Sequence, residues 1–249
     1  MLNKEIEKNL HQNQLQLGVH TPLAQVKVKN LKEHFRIMLT YSSNAIEGNE
    51  LNQFETKVVV EEGIAIGGKR LSDHLDTVGH ARAFDYLWGL ARDPGITEEE
   101  IKKLHSLCFQ PGKGDSAGNY RTINVEITGS KHNDKLSRHE DIEKHMQNLI
   151  ESLSEKRASL HPVEYAAMLH QDFITIHPFP DGNGRIARLL MNHALLAAGY
   201  PPVIIMPACK QKYIQALEKS HINKEDFVCY IAEQEVNAQQ EYMRLLRIS

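Results

Sequence analysis

A proline and two glycines separate two apolar helical patterns, and this break constrains the fold more than any other feature of the sequence. Apolar residues recur at helical spacing up to Ile174, and Pro178 then stops or sharply turns that helix. A second apolar-periodic stretch starts at Ile186. Because Gly182 and Gly184 adopt backbone dihedrals that other residues resist, the sequence predicts a helix, a tight loop and the N-terminus of a second helix.

The loop and the start of the second helix together predict an anion site suited to phosphate. Backbone N–H groups of Gly182, Asn183 and Gly184 can approach a ligand closely, and the helix N-terminus adds a positive dipole end. Arg185 and Arg188 are three residues apart and therefore lie on one helix face. Guanidinium groups placed in this way bind phosphate oxygens bidentately, so the pattern favours a nucleoside triphosphate.

Two side chains at the mouth of the loop can supply chemistry. Asp181 offers carboxylate oxygens to Mg²⁺, the usual companion of a polyphosphate. His177 can accept a proton from an attacking hydroxyl when its imidazole is neutral. The competing interpretation is a histidine satisfied beside an ordinary helix turn. The clustering of these residue types within positions 177–188 favours an active site.

The run from His177 to Arg188 reads His-Pro-Phe-Pro-Asp-Gly-Asn-Gly-Arg-Ile-Ala-Arg, and it resembles the signature of the Fic-domain family of protein adenylyltransferases, or AMPylases. Segments 45–49, 161–164 and 199–202 add a similarity to the animal endoplasmic-reticulum members of that family. The resemblance implies a mainly α fold, a Fic-type helical bundle with a small β-hairpin flap. The expected parts are an N-terminal helical extension (1–40) and a Fic domain (41–249) that includes an inhibitory helix (41–49), the flap (118–132) and the catalytic loop (177–188).

Residues 118–132 form the one stretch with a strand pattern, because Ile123, Val125 and Ile127 alternate with polar residues. On sequence alone a simple connector is equally compatible. By resemblance, this stretch is the flap that lies over the active site and aligns the target segment by strand addition. The resemblance also implies that Tyr213 packs on the adenine, and that the nucleotide is contacted from the flap by Val125, Glu126, Ile127 and Thr128.

Ser43 and Glu47 are four residues apart, so they share a helix face that ends at Gly48. Read alone, this is a capped helix end with a solvated glutamate. By resemblance, it is the family's inhibitory motif, placed before the core. The implied role of Glu47, supported by Ser43, is to pair with Arg188 and exclude the terminal phosphate of ATP.

The resemblance implies transfer of AMP from ATP to a Ser, Thr or Tyr hydroxyl of a target protein and of the enzyme itself. His177 acts as the base, and Mg²⁺ or Mn²⁺ accompanies the ATP. A histidine base predicts a loss of rate as the pH falls through roughly 6–7. Three alternatives stay open: removal of AMP from a modified target with Glu47 orienting water, a different phosphate-containing donor, and a non-catalytic nucleotide-binding module.

Composition defines the setting. The formal net charge of −3 gives no nucleic-acid footprint. The sequence contains neither an apolar run of membrane-spanning length nor a signal-peptide pattern. Cys108, Cys209 and Cys229 are widely spaced and odd in number, which is typical of reduced thiols. We therefore expect a cytoplasmic protein that binds no nucleic acid or membrane and docks its target on the flap, and the resemblance also admits a homodimer.

Two capping boxes predict helix starts elsewhere in the chain. Thr97 is followed three residues later by Glu100, and Ser137 is followed by Glu140. In each pair the hydroxyl and the carboxylate can bond to each other's backbone N–H group.

Overall fold

The computed structural model describes residues 2–19, 25–91, 93–109 and 116–248. The mainly α fold is confirmed in these ranges. A π-helical turn, Val58–Glu62, follows directly after α3, and short 3₁₀ turns span Asn133–Lys135, His139–Asp141 and Pro207–Cys209. The α-helices in the described ranges are α1 (Lys4–Val19), α2 (Gln25–Ile46), α3 (Gln53–Lys57), α4 (Leu71–Leu90), α5 (Glu98–Phe109), α6 (Ile142–Ser159), α7 (Pro162–Ile176), α8 (Asn183–Ala197), α9 (Lys210–Ser220) and α10 (Glu225–Leu246).

Helix α8 lies at the centre of the fold. Its apolar side chains Ile186, Leu190 and Met191 are fully buried, and it packs against α2, α4, α5 and α7. Helix α7 in turn packs against α6 and α10. Each fully buried side chain of this kind contributes about 1.5–3 kcal/mol through the hydrophobic effect. The loop between α7 and α8 is therefore held at both ends by elements of the core.

The two helices end and begin as the break in the pattern requires. Helix α7 stops at Ile176, and His177 adopts a left-handed φ of 50° one residue before Pro178. Gly182 caps α8 with a φ of 77°. Helix α8 starts at Asn183, earlier than the apolar pattern suggests, because the polar side chain of Asn183 is satisfied by hydrogen bonds to the backbone of Phe179.

The predicted β-hairpin in residues 118–132 is wrong, since none of the described residues lies in a strand. The segment is irregular and extended, with a turn at Thr128 and Gly129. The backbone of Ile127 bonds a side chain instead of a partner strand. Its N–H donates to Oδ1 of Asn133 at 2.8 Å, and its carbonyl accepts from Nδ2 at 3.2 Å. Asn133 thus uses the two backbone groups that a hairpin ladder would have paired.

Helices α1 and α2 complete the bundle. Helix α1 packs along α10, and α2 packs against α4 and α8. Helix α2 runs without interruption from Gln25 to Ile46, which brings the segment containing Ser43 and Glu47 to the N-terminal end of α8. The division at residue 40 stays a prediction, and residues 20–24 of the expected extension lie outside the described ranges. Across those ranges, no helix is both long and apolar enough to cross a bilayer.

Candidate functional site

The first turn of α8 opens the site, and two glycines shape it. The φ of Gly182 is 77°, and a Cβ there would overlap the ring of Phe109. A Cβ on Gly184 would lie 2.5 Å from Oε1 of Glu47. The backbone N–H groups of a first turn have no partner within their own helix. The two glycines therefore permit a close approach of charged groups to this positive end of α8.

Asn183 stabilises the loop with its side chain. Its Oδ1 accepts from the N–H of Phe179 at 2.9 Å, and its Nδ2 donates to the carbonyl of the same residue at 2.8 Å. Asn183 and Phe179 are both buried. This pair of bonds closes the turn between α7 and α8, so what Asn183 can offer a phosphate is its backbone N–H.

Arg185 is buried beneath the loop, with 4% of its surface exposed. Its Nη1 lies 3.1 Å from Oδ1 of Asp76 on α4, and its guanidinium centre lies 4.3 Å from the ring centroid of Phe109. Oδ1 of Asn44 accepts a longer bond of 3.4 Å from the same Nη1. The sequence analysis missed Asp76, because no motif surrounds it in α4.

Arg188 is also 4% exposed, and its guanidinium group is hydrogen-bonded to residues at the end of α2. Its Nε donates to Oγ of Ser43 at 2.9 Å, and its Nη2 donates to the carbonyl of Ser43 at 3.0 Å and to Oε1 of Glu47 at 2.7 Å. Burial alone would raise the pKa of Glu47, but the charge and hydrogen bond of Arg188 hold that pKa below its usual range. Glu47 is therefore an anion at neutral pH, placed beside Gly184.

Tyr213 lies against Arg188 from α9. Its hydroxyl accepts from Nη1 of Arg188 at 3.4 Å and lies 2.9 Å from Nε2 of His170. Only 3% of Tyr213 is exposed. This burial leaves little of the ring open for stacking on an adenine base, so the expected adenine contact stays a prediction.

His177 stands at the entrance of the site with one ring nitrogen engaged. A carbonyl can only accept, so Nδ1 carries the proton that it donates to the carbonyl of Ile174 at 3.3 Å. Nε2 then keeps its lone pair for a substrate proton. Burial lowers the pKa of His177 to about 4, with Arg121 adding to the effect and the Ile174 bond opposing it. The imidazole is thus neutral, as a base must be, over a wide pH range.

Asp181 offers oxygens to a cation at the rim. Its side chain is 53% exposed, and Oδ1 accepts from the N–H of Gly182 at 2.6 Å. No group of three or more acidic, histidine or cysteine ligands forms a metal cage among the described residues. A single exposed carboxylate suits Mg²⁺, which proteins hold through one or two carboxylates together with substrate phosphates and water.

His105, to which the sequence analysis gave no role, connects the loop to the segment 118–132. Nε2 of His105 donates to the carbonyl of Asp181 at 3.1 Å, and its Nδ1 accepts from Gly118 at 2.8 Å. The His105 ring also stacks on Phe179, with centroids 3.8 Å apart. Its position in α5, far from the loop in sequence, gave no signal for this role.

Arg121 anchors the beginning of the segment 118–132 to His177. Its backbone N–H donates to the carbonyl of Pro178 at 2.9 Å, and its Nε donates to the carbonyl of His177 at 2.8 Å. Its other guanidinium nitrogens bond the carbonyls of Ile123 and Ser137. The sequence of the stretch 118–132 did not indicate that this arginine is buried.

The remaining predicted nucleotide contacts lie beyond Arg121. Val125 and Ile127 are half-buried, whereas Glu126 and Thr128 are exposed. Their contact with a nucleotide stays a prediction.

The comparison with known proteins agrees with this geometry. A family model described as the Fic/DOC family matches residues 95–195, a range that includes α7, the loop and the first turns of α8. The protein adenylyltransferase Fic of Nematostella vectensis is 36% identical over 196 residues, which are 77% of this chain and 45% of that protein. The protein of the same name from Drosophila virilis is 37% identical over 198 residues, which are 78% and 40% of the two chains. The chain thus spans less than half the length of these curated relatives.

Solved structures extend the likeness to the whole bundle. A Fic domain containing signaling protein from Bacteroides thetaiotaomicron has a TM-score of 0.87 at 26% identity, covering 96% of this chain and 98% of that one. Fic-1 from C. elegans, residues 134–508, has a TM-score of 0.84 at 25% identity, covering 97% of this chain and 73% of that one. By sequence, by fold and by the residues at the start of α8, the chain belongs to the Fic/DOC family.

Proposed function

We propose that this protein transfers AMP from ATP to a hydroxyl side chain of a protein target. The observation that carries the proposal is geometric: a neutral His177, the open first turn of α8 and buried Arg188 converge at one end of α8. These groups match a base, a phosphate cradle and a cation for the outer phosphates. The curated relatives named protein adenylyltransferase support the same reaction.

In the proposed reaction His177 takes the proton of a Ser, Thr or Tyr hydroxyl on Nε2. The hydroxyl oxygen bonds to the α-phosphorus of ATP, and the bond from that phosphorus to the bridging oxygen breaks, so pyrophosphate leaves. Backbone N–H groups of Gly182, Asn183 and Gly184 stabilise charge on the α- and β-phosphates. Arg185 and Arg188 hold the outer phosphates. We expect Asp181 to hold Mg²⁺, or Mn²⁺ in its place, and the bound cation would neutralise part of the phosphate charge.

We propose further that Glu47 keeps the enzyme inactive at rest. The carboxylate lies 2.7 Å from Nη2 of Arg188, and beside Gly184 it stands where a phosphate would approach. Two anions cannot share this position without strong repulsion. Because the Glu47 side chain is 39% exposed, it can swing toward solvent without unpacking the core.

The test uses ATP labelled on the α-phosphate, supplied with Mg²⁺, to follow self-modification. We compare the wild type, Glu47→Gly, and Glu47→Gly combined with His177→Ala. The proposal expects weak label on the wild type, strong label on Glu47→Gly and none on the double variant. Equal label on the wild type and Glu47→Gly would refute the inhibitory role of Glu47 and leave the transferase standing.

The remaining activities are outcomes of related assays. If Glu47 instead orients water, the wild type would release AMP from a modified target in the presence of Mg²⁺ or Mn²⁺, and Glu47→Gly would not. A panel of phosphate-containing donors would reveal a donor other than ATP. Tight ATP binding by Glu47→Gly without any transfer would indicate a nucleotide-binding module.

We also propose where partners act. The flap segment 118–132 presents Ile123 with 66% of its surface exposed, which suits contact with a target chain. Phe54, Ile64 and Leu71 are exposed apolar side chains as well, which suits a homodimer. Sedimentation of the wild type and of Leu71→Asp tests that assembly, since only the wild type should dimerise. The free thiols of the three cysteines fit a cytoplasmic location, which cell fractionation would test.

A further inference from the structure

A buried polar pair holds Arg188 on a different nitrogen from the one that Glu47 contacts. Tyr213 on α9 and His170 on α7 are 3% and 0% exposed. The Tyr213 hydroxyl lies 3.4 Å from Nη1 of Arg188 and 2.9 Å from Nε2 of His170. Polar groups at this depth are costly unless they are hydrogen-bonded, so the direction of each bond matters.

The direction of the bonds follows from the chemistry of the groups. Arginine has only donors, so the Tyr213 oxygen accepts from Arg188. The Tyr213 hydroxyl hydrogen is then free to donate to Nε2 of His170. Burial and nearby Arg188 lower the pKa of His170 well below its usual range, which keeps its imidazole neutral and able to accept. The three side chains form one directional chain of bonds that ends in the core.

This chain of bonds leaves one buried donor without a partner in the described part of the chain, which purely apolar packing would not do. Nδ1 of His170 must carry the ring proton, and within the described residues it finds no hydrogen-bond partner. A buried donor without a partner destabilises a fold, because it has given up its hydrogen bonds to water. Tyr213→Phe together with His170→Leu would remove that penalty and leave neither a hydroxyl nor an imidazole unpaired there, so the pair has a use other than stability.

Tyr213 and His170 lie on different elements of the fold from Ser43 and Glu47. Ser43 lies on α2 and Glu47 follows its last residue, so a shift of α2 would move both of them. Tyr213 belongs to α9, and its ring packs 6.1 Å from Phe227 between centroids. Tyr213 therefore holds Arg188 whether or not the end of α2 stays in place.

We propose that the Tyr213 hydroxyl, oriented by His170, is a positioning group that keeps Arg188 aimed at the terminal phosphate of ATP once Glu47 has left. The inference rests on the proposed function, since it assigns the terminal phosphate to Arg188. In this role Tyr213 acts through its hydroxyl group. A contact with adenine would instead need the aromatic ring.

The test measures nucleotide affinity by calorimetry in the Glu47→Gly background, with Mg²⁺. Tyr213→Phe keeps the ring and removes the hydroxyl. It should weaken ATP binding about tenfold, which is about 1.4 kcal/mol, and leave AMP binding unchanged. Tyr230→Phe is the matched control. Tyr230 lies in the same aromatic cluster, with its ring 6.4 Å from Tyr213, and its buried hydroxyl has no partner among the described residues. That control should leave both affinities unchanged.

A double variant separates positioning from folding. Tyr213→Phe leaves Nε2 of His170 unpaired, and adding His170→Leu removes that buried group. The double variant should regain thermal stability without regaining ATP affinity. Recovery of both, equal losses for ATP and AMP, or no loss in Tyr213→Phe would each overturn the inference. Failure of Glu47→Gly itself to bind ATP would instead remove the proposed function, and this inference with it.

Discussion

Nη2 of Arg188 and Oε1 of Glu47 lie 2.7 Å apart, and this contact joins the end of α2 to the first turns of α8. The bond is charge-assisted, because Arg188 holds the pKa of Glu47 below its usual range. Such bonds are roughly twice as strong as bonds between neutral groups. The strength of the proposed inhibition should therefore follow the charge at position 47.

Glu47→Gln should release the enzyme only in part. An amide keeps the hydrogen bond to Arg188 but loses the charge, so self-labelling should fall between that of the wild type and that of Glu47→Gly. The measurement is the initial rate of label transfer from α-labelled ATP. Glu50→Gln is the matched control, because Glu50 is nearby and pairs with exposed Arg70 at 3.2 Å on the surface. If Glu47→Gln were as active as Glu47→Gly, the role of charge would be contradicted.

The activity of Glu47→Gly should stay level well below neutral pH. Burial lowers the pKa of His177 to about 4, so its imidazole keeps the lone pair above that pH and loses it as the pH falls through about 4. This expectation differs from the fall at pH 6–7 that an unperturbed histidine would give. The test is kcat/KM against pH, with circular dichroism confirming that the protein stays folded. An inflection at 6–7 would contradict the shift.

Arg121→Lys should loosen the flap segment. Lysine keeps the charge but cannot reach the carbonyls of His177, Ile123 and Ser137 with one ammonium group. A carbonyl that loses its partner destabilises the protein by up to about 1–3 kcal/mol, and by less where water can replace the guanidinium. Urea unfolding should show that loss, and limited proteolysis should cut within 118–132 faster.

Arg138→Lys is the control for this change. Arg138 follows the same segment, but it is exposed and pairs with exposed Glu140 at 3.3 Å. Surface pairs contribute little, so its substitution should alter neither unfolding nor cleavage. Equal effects of the two substitutions would show that Arg121 has no special anchoring role.

Asn183→Ala should destabilise the loop. It removes both bonds to the backbone of Phe179 and leaves that buried N–H and carbonyl unpaired. Each unsatisfied group should lower the free energy of unfolding by up to about 1–3 kcal/mol. ATP binding should also weaken. Asn183→Asp keeps the acceptor but turns a carboxylate oxygen toward the Phe179 carbonyl, so it should also lose stability. A stable variant with unchanged ATP affinity would show that the glycines alone define the loop.

Local chemistry made the catalytic loop predictable from the sequence. Pro178 and Gly182 indicate where α7 ends and α8 begins, although α8 starts three residues before the apolar pattern at Ile186. The capping box at Thr97 likewise forms, with the N–H of Thr97 bonding Glu100 at 2.7 Å and the N–H of Glu100 bonding the Thr97 hydroxyl at 3.2 Å.

Distant contacts overrode the local pattern elsewhere. Ser137 does not cap a helix, since its hydroxyl lies 2.6 Å from Nδ1 of His145 and its carbonyl accepts from Arg121. Asn133 in the same way replaces the partner strand of Ile127. His105 and Asp76 meet the loop only through the packing of α5 and α4, which no short motif encodes.

The unbroken length of α2 has a mechanical consequence. Its 22 residues span roughly 33 Å at the rise of an α-helix. Pivoting near its N-terminal end, such a rod amplifies small rotations, and a tilt of only about 5° would displace the far end by about 3 Å. That distance exceeds what a hydrogen bond tolerates. A tilt of this size would therefore separate Glu47 from Arg188, so any force that rotates α2 by this small angle would disrupt their contact.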